Sequence, residues 1–161
     1  MKARSFIFAE PVTLRQTKSA GQTKIICSQP QEYVIVIQSS ADIVRARQFA
    51  RSLATGLGFS TADATCIASV ISELSRNIIQ YANHGEITIA REIQGPRLGV
   101  LICAKDNGPG IRKIQLALKP GYSTCGGLGM GLPCAQLMGD EFNIISAPGA
   151  GTQVDVRIWL R

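Results

Sequence analysis

Aromatic side chains are scarce: five Phe, three Tyr and one Trp make up 6% of the 161 residues. That leaves no row of rings on which successive bases could stack, and argues against a single-stranded nucleic-acid binder. Charged residues are also few, at 17%. No run of about 18 apolar residues occurs, so no membrane-spanning helix is expected. The cysteines number five (Cys27, Cys66, Cys103, Cys125 and Cys134) and no two form a CxxC pair. An odd, dispersed set suits neither a disulfide framework nor a zinc site, and points to reduced thiols in a cytoplasmic protein.

What is present suits one domain. At this length a chain buries roughly 70% of its unfolded surface, and 45% hydrophobic content can fill a core. The net charge is +6, but residues 1–24 hold Lys2, Arg4, Arg15, Lys18 and Lys24 against Glu10 alone. Four of the six net charges thus sit in an N-terminal arm, not on a nucleic-acid-binding face. The start, Lys2 to Ala9, hints at a signal peptide, but its apolar run is short and Glu10-Pro11 ends it. Residues 1–30 are expected to be a flexible or loosely docked arm with a short strand near Phe6–Phe8, and residues 31–161 a single domain.

Along that domain, Tyr33–Ile37 is a continuous β-branched run that suits a buried strand. Ser39-Ser40-Ala41-Asp42 opens a helix whose apolar positions Ile43, Ala46, Ala50, Leu53, Ala54 and Leu57 keep helical spacing. Ser60-Thr61-Ala62-Asp63 opens a second, burying Ile67, Val70, Ile71, Leu74 and Ile78 and ending near Asn83-His84-Gly85. Strands are expected over Ile87–Ile93 and Leu98–Ala104, turning at Gln94-Gly95-Pro96. A short helix follows over 112–118, then a glycine-rich segment over 119–127 and a helix over Leu128–Met138. Phe142–Ala147 and Gln153–Leu160 read as a terminal hairpin. The order predicts a two-layer α/β sandwich, one sheet with helices on a face.

Three motifs carry chemistry. Glu73 and Asn77, one turn apart on the second helix, lie on one side of it. A carboxylate there can take a proton from an attacking hydroxyl, and an amide oxygen is a hard ligand suited to Mg²⁺. Alone, the segment reads first as an ordinary polar face with Glu73 paired to Arg76 or Gln80. Asp106-Asn107-Gly108-Pro109-Gly110 puts an acceptor at a strand end for an exocyclic amine such as adenine N6, beside glycines that admit a flat ring; alone it could be a plain turn. Gly126-Gly127-Leu128-Gly129-Met130-Gly131 runs into a helix, where backbone N–H groups suit phosphate, though a flexible turn is the other reading. Neither GxxxxGK[ST] nor GxGxxG is present.

Taken in order, ELSRN, DNGPG and GGLGMG resemble the N, G1 and G2 boxes of the GHKL (Bergerat-fold) ATP-binding superfamily, with Gly151-Thr152 completing the set. The likeness covers roughly 32–161. Within the superfamily the chain is most similar to the serine/threonine kinases of bacterial stressosomes. Asp42–Gln48, Ile71–Ile78, Gly121–Thr124 and Trp159-Leu160-Arg161 carry that similarity besides the boxes. The resemblance implies a Bergerat-type mixed sheet with helices on one face and a glycine-rich lid. It implies ATP and Mg²⁺, with Glu73 as general base and Asn77 as Mg²⁺ ligand. It also implies Asp106 reading adenine with Thr152 assisting, Gly108 and Gly110 lining the base pocket, and Gly126, Gly127, Leu128, Gly129, Met130 and Gly131 closing over the phosphates. Arg76 would stabilise transferred charge, unless it only pairs with Glu73. The implied partners are STAS-domain proteins phosphorylated on Ser or Thr and a PP2C-type phosphatase. The rival reading is an anti-sigma-type switch in which ATP occupancy governs partner sequestration. Histidine kinases fit poorly, because the only histidine, His84, stands at a helix end.

Overall fold

A computed structural model describes residues 32–123 and 128–161. The arm over 1–30, its strand near Phe6–Phe8, and Gly126 and Gly127 of the lid lie outside the described residues.

Five strands form one sheet in the order β1-β2-β3-β5-β4. They are β1 (Glu32–Ile37), β2 (Gly85–Gln94), β3 (Arg97–Asp106), β4 (Glu141–Ser146) and β5 (Thr152–Trp159). Helices α1 (Ser40–Gly56) and α2 (Thr61–Asn77) connect β1 to β2, and a single turn α3 (Ile114–Ala117) precedes α4 (Gly131–Met138). The expected two-layer sandwich is found, with two corrections to its details.

The first concerns the sheet. A mixed sheet was expected, yet all four described pairings are antiparallel. Two helices between β1 and β2 bring the chain back to the end where β1 stopped, so β2 must run the other way. The α4 crossover does join β3 to a strand of the same direction, β4, but β5 lies between them. This is a split β-α-β unit whose parallel pair never touches. The second correction is at the end of α2. The α-helix stops at Asn77 and the chain continues as a π-helical turn over Ile78–Ala82, before Asn83 reverses it with φ 64°. Such widened turns recur at functional sites, because they re-aim the side chains that follow.

Register explains the core. One face carries the rows Ile35–Ile87–Ala104–Val154–Ile144 and Tyr33–Ile89–Ile102–Val156–Phe142. Against these rows the helices bury Ala46, Ala50 and Ala54 from α1 and Ile67, Ile71 and Leu74 from α2. Alternation places Val154, Val156 and Ile158 inward, as their spacing predicts, with Leu160 partly buried behind them. On the opposite face Arg157 pairs with Glu92 at 2.9 Å, and Arg97 stacks 4.3 Å from the Trp159 ring centroid. Three cysteines, Cys66, Cys103 and Cys134, are free thiols.

Asp42 sets the start of α1. Its carboxylate accepts from the Ser39 N–H at 2.8 Å and the Gln38 N–H at 3.0 Å, and from the Ser39 hydroxyl at 2.8 Å. The Arg45 guanidinium beside it, then these donors, hold the Asp42 carboxyl at about 2, against an opposing push from burial. A depressed carboxyl stabilises the fold above its unfolded value, and that stability is lost as pH falls through the folded one. Asp42→Ala is therefore expected to cost about 1 kcal/mol at neutral pH. In urea titrations at several pH values, the gap between wild type and variant should stay constant above pH ~5 and close between roughly 4 and 2. A gap that persists at pH ~2 would show that packing, not the ionised cap, is what Asp42 contributes.

Candidate functional site: a nucleotide cleft at one end of the sheet

The last inward-facing row of the sheet differs from the others. It reads Ile37–Gly85–Asp106–Thr152–Ser146, and its centre is polar. The C-terminal end of α2 and the N-terminus of α4 converge there, over a cleft of about 980 Å³. That volume is at the upper end for a pocket enclosing a small ligand.

The floor comes from β3 and β5. Asp106 ends β3 with one carboxylate oxygen, Oδ1, accepting the Gly108 N–H at 2.8 Å. Asp106 and Thr152 both line the cleft as register partners on neighbouring strands. The loop after β3 is clamped to the β4–β5 turn: Gly149 N–H donates to Pro109 O at 2.8 Å, and Ile111 N–H to Ser146 Oγ at 2.8 Å. Gly110, at φ +71°, fits this contact only without a side chain, since a Cβ there would lie 1.9 Å from Ala147 O.

One wall comes from α2 and the π turn. Glu73, Arg76 and Asn77 line the cleft, joined by Gln80 and Tyr81. Glu73 and Asn77 reach the same point on α4: a Cβ on Gly131 would sit 3.2 Å from Asn77 Oδ1 and 3.3 Å from Glu73 Oε2. The helical spacing expected to bring these two side chains together does so. Arg76 forms an ion pair with Glu73. The carboxylate thus serves both arrangements that the sequence left open, an intrahelical pair and a cleft-facing group.

A further part of the lining comes from the glycine-rich segment and the start of α4, which packs against α2 at Gly131. Leu128, Gly129, Met130 and Gly131 line the cleft. Met130, the residue before α4, gives no side-chain cap to the first turn of that helix. Leu128 is 88% exposed. Gly108 is the one described residue of the expected set that does not line the cleft. Its N–H holds Asp106 from behind, and a Cβ there would meet Ala82 Cβ at 2.7 Å.

Sequence reasoning missed several lining groups. Arg112 and Lys113 line the cleft directly after the DNGPG loop, and with Arg76 they set three cations against the carboxylates of Glu73 and Asp106. Two consecutive cations behind a nucleotide-type loop were a readable signal. Tyr81 and Tyr122 were not readable, because the π turn and the loop over 119–123 bring them in through nonlocal packing. The balance of cations suits a polyphosphate. An ion such as Mg²⁺ also fits the donor set: the Asn77 amide oxygen is a hard ligand beside Gly131, where a Cβ would crowd it at 3.2 Å, and phosphates and water would supply the rest.

Comparison with known proteins agrees with this geometry. Residues 62–161 match the family of histidine kinase-, DNA gyrase B-, and HSP90-like ATPases. The serine/threonine-protein kinase RsbT of Bacillus subtilis (strain 168) is 45% identical over 125 residues, spanning 78% of this chain and 94% of that protein. The crystal structure of the RsbU and RsbW domains of a Mycobacterium tuberculosis protein superposes with a TM-score of 0.55 at 18% identity. That match covers 81% of this chain and only 32% of the larger one. The mycobacterial sensor histidine kinase MprB gives a TM-score of 0.50 at 11% identity, over 83% of this chain and 99% of that one. At such identities the two structures speak for the fold alone. The chain therefore belongs to the histidine kinase-, DNA gyrase B- and HSP90-like ATPase family, and to the serine/threonine-protein-kinase group within it that its 45% identical relative represents.

Proposed function

We propose that this protein transfers the γ-phosphoryl group of ATP to a serine or threonine on a STAS-domain partner in bacterial stress signalling, and that it afterwards activates a PP2C-type phosphatase. The observation that carries the reading is the convergence of Glu73 and Asn77 on Gly131, which brings a carboxylate, an amide and the start of α4 to one end of a nucleotide-sized cleft. The kinase class follows from the 45% identical relative. The partners follow from the resemblance to the stressosome kinases, as does a cytoplasmic location. Among the described residues no helix is long and apolar enough to cross a membrane.

In this mechanism the base lies against Asp106 and Thr152, and the phosphates run toward the α4 amides. The acceptor hydroxyl oxygen bonds to the γ-phosphorus as the bond to the β,γ-bridging oxygen breaks, and ADP leaves. The hydroxyl proton passes to the Glu73 carboxylate. Asn77 would hold Mg²⁺, which supplies charge neutralisation for the phosphates. Arg76, Arg112 and Lys113 add fixed positive charge where negative charge moves. Positioning and electrostatics of this kind account for most of the rate enhancement in phosphoryl transfer.

The test is incubation of the protein with γ-labelled Mg·ATP and candidate STAS-domain proteins from the same source. Label on a partner serine or threonine is the expected result. ATP binding with no label on any partner would replace the kinase reading by the nucleotide-gated binding switch.

A further inference from the structure

Ser146 does not line the cleft, yet three contacts meet at its hydroxyl. It donates to Gly151 O at 2.8 Å and accepts the Ile111 N–H at 2.8 Å, and it stands 3.0 Å from Thr152 Oγ1. A serine hydroxyl has one proton and two lone pairs. The carbonyl of Gly151 can only accept, so the Ser146 proton goes there. At the third contact Ser146 must therefore be the acceptor, and the Thr152 hydroxyl must be the donor. Both Ser146 lone pairs are then used, one by Ile111 N–H and one by Thr152.

The consequence falls on Thr152. With its proton drawn toward Ser146, its Oγ1 offers lone pairs only. Thr152 stands beside Asp106 across the β3–β5 register, and Asp106 has one oxygen engaged by Gly108 N–H. The floor of the cleft is then an acceptor edge made of the second Asp106 oxygen and Thr152 Oγ1. A purine amine, or a water bridging to the ring, supplies donors to it. The same serine fixes the opposite lip, because Ile111 also lines the cleft.

We infer that Ser146 is a positioning residue for nucleotide recognition: it accepts the hydrogen bond of the Thr152 hydroxyl, orients Thr152 as an acceptor toward the base, and ties the loop after β3 to the β4–β5 hairpin. The inference rests on the reading of the cleft as the ATP site. It concerns binding of the base and not transfer at the far end, so its signature is a split between affinity and turnover.

The test is calorimetric titration of Mg·ATP into wild type, Ser146→Ala, Thr152→Val, the double variant and Ser146→Thr, with transfer rates at saturating ATP. One hydrogen bond's worth of orientation is about a tenfold effect on Kd. Ser146→Ala and Thr152→Val are each expected to raise Kd about tenfold, and Ser146→Ala to leave kcat within about twofold. The double variant should lose less than the product of the two single losses, since part of the Ser146 effect runs through Thr152. Ser146→Thr keeps the hydroxyl and should restore binding to within about threefold. Multiplicative losses in the double variant would overturn the inference, as would unchanged affinity in Ser146→Ala or failure of Ser146→Thr to restore binding. If Ser146→Ala does not fold, Ser146→Cys fills the space with a weak donor and acceptor and takes its place under the same expectations. Wild-type protein that binds no ATP would overturn the nucleotide reading itself, and the inference with it.

Discussion

Glu73→Gln should abolish phosphoryl transfer, by a factor of about 10² to 10⁴, while ATP binding stays close to wild type. The substitution keeps the shape of the side chain and removes only its capacity to accept a proton as an anion. Glu73 reaches the start of α4 together with Asn77 and is carried by α2, whereas Asp106 and Thr152 are carried by β3 and β5, so the substitution changes no atom of the base-binding floor. The ion pair with Arg76 is also lost. That pair is partly exposed, with side-chain accessibilities of 55% and 29%, so its contribution to stability is small. Single-turnover transfer and nucleotide titration on the same preparation separate the two effects. If affinity and transfer fall together, Glu73 is holding the nucleotide and is not acting as the base. If transfer persists, another group accepts the proton.

The second large effect is expected on the floor of the cleft. Asp106→Asn should weaken ATP binding roughly ten- to hundredfold, the cost of exchanging a charged acceptor for an amide that also carries donors. One carboxylate oxygen already holds the Gly108 N–H, so an asparagine would keep its own oxygen there. Its NH₂ group would then face the incoming amine, donor against donor. Competition with a fluorescent ATP analogue measures the loss. Retained affinity would mean that the base does not lie on the β3–β5 floor, and would move adenine recognition elsewhere in the cleft. Glu73→Gln and Asp106→Asn together test direction as well as occupancy, because they probe opposite ends of one ligand.

Elements set by local periodicity were legible in the sequence. The runs Tyr33–Ile37 and Leu98–Ala104 form strands, and the helical spacing from Ala46 to Ala54 and from Ile67 to Leu74 forms helices, where expected. But among the described residues β1 is an edge strand with Val34 and Val36 exposed, not the buried strand its continuous apolar run suggested, because only one of its faces packs on the helices. The convergence of Glu73 with Asn77 was legible too, since it needs only the pitch of a helix. What escaped reading depends on residues distant in the chain. Nothing local to β4 or β5 says that the last strand enters between its predecessor and β3. A helix continuing past Asn77 and a π turn share one apolar pattern, so Gln80 and Tyr81 came to the cleft unannounced. Ser146 looks like any serine before a turn until Ile111, Gly151 and Thr152 are placed around it. Asp42 was read as a helix start, but not as a buried carboxylate gathering four donors.

The place of β5 also orders events in time. Among the described residues β4 has no strand beside it except β5, and the exposed side of β3 waits for the same strand. As the chain leaves the ribosome, β1, β2, β3 and both long helices can assemble, but the crossover through α4 hangs from one anchored end. The floor of the cleft lacks Thr152 and the hairpin clamp lacks its second arm until residues 147–159 arrive. Nucleotide therefore meets a finished site only after β5 has been made. Binding can then act as the final latch on a sheet that closes from its middle, a late stabilisation that partial chains cannot share.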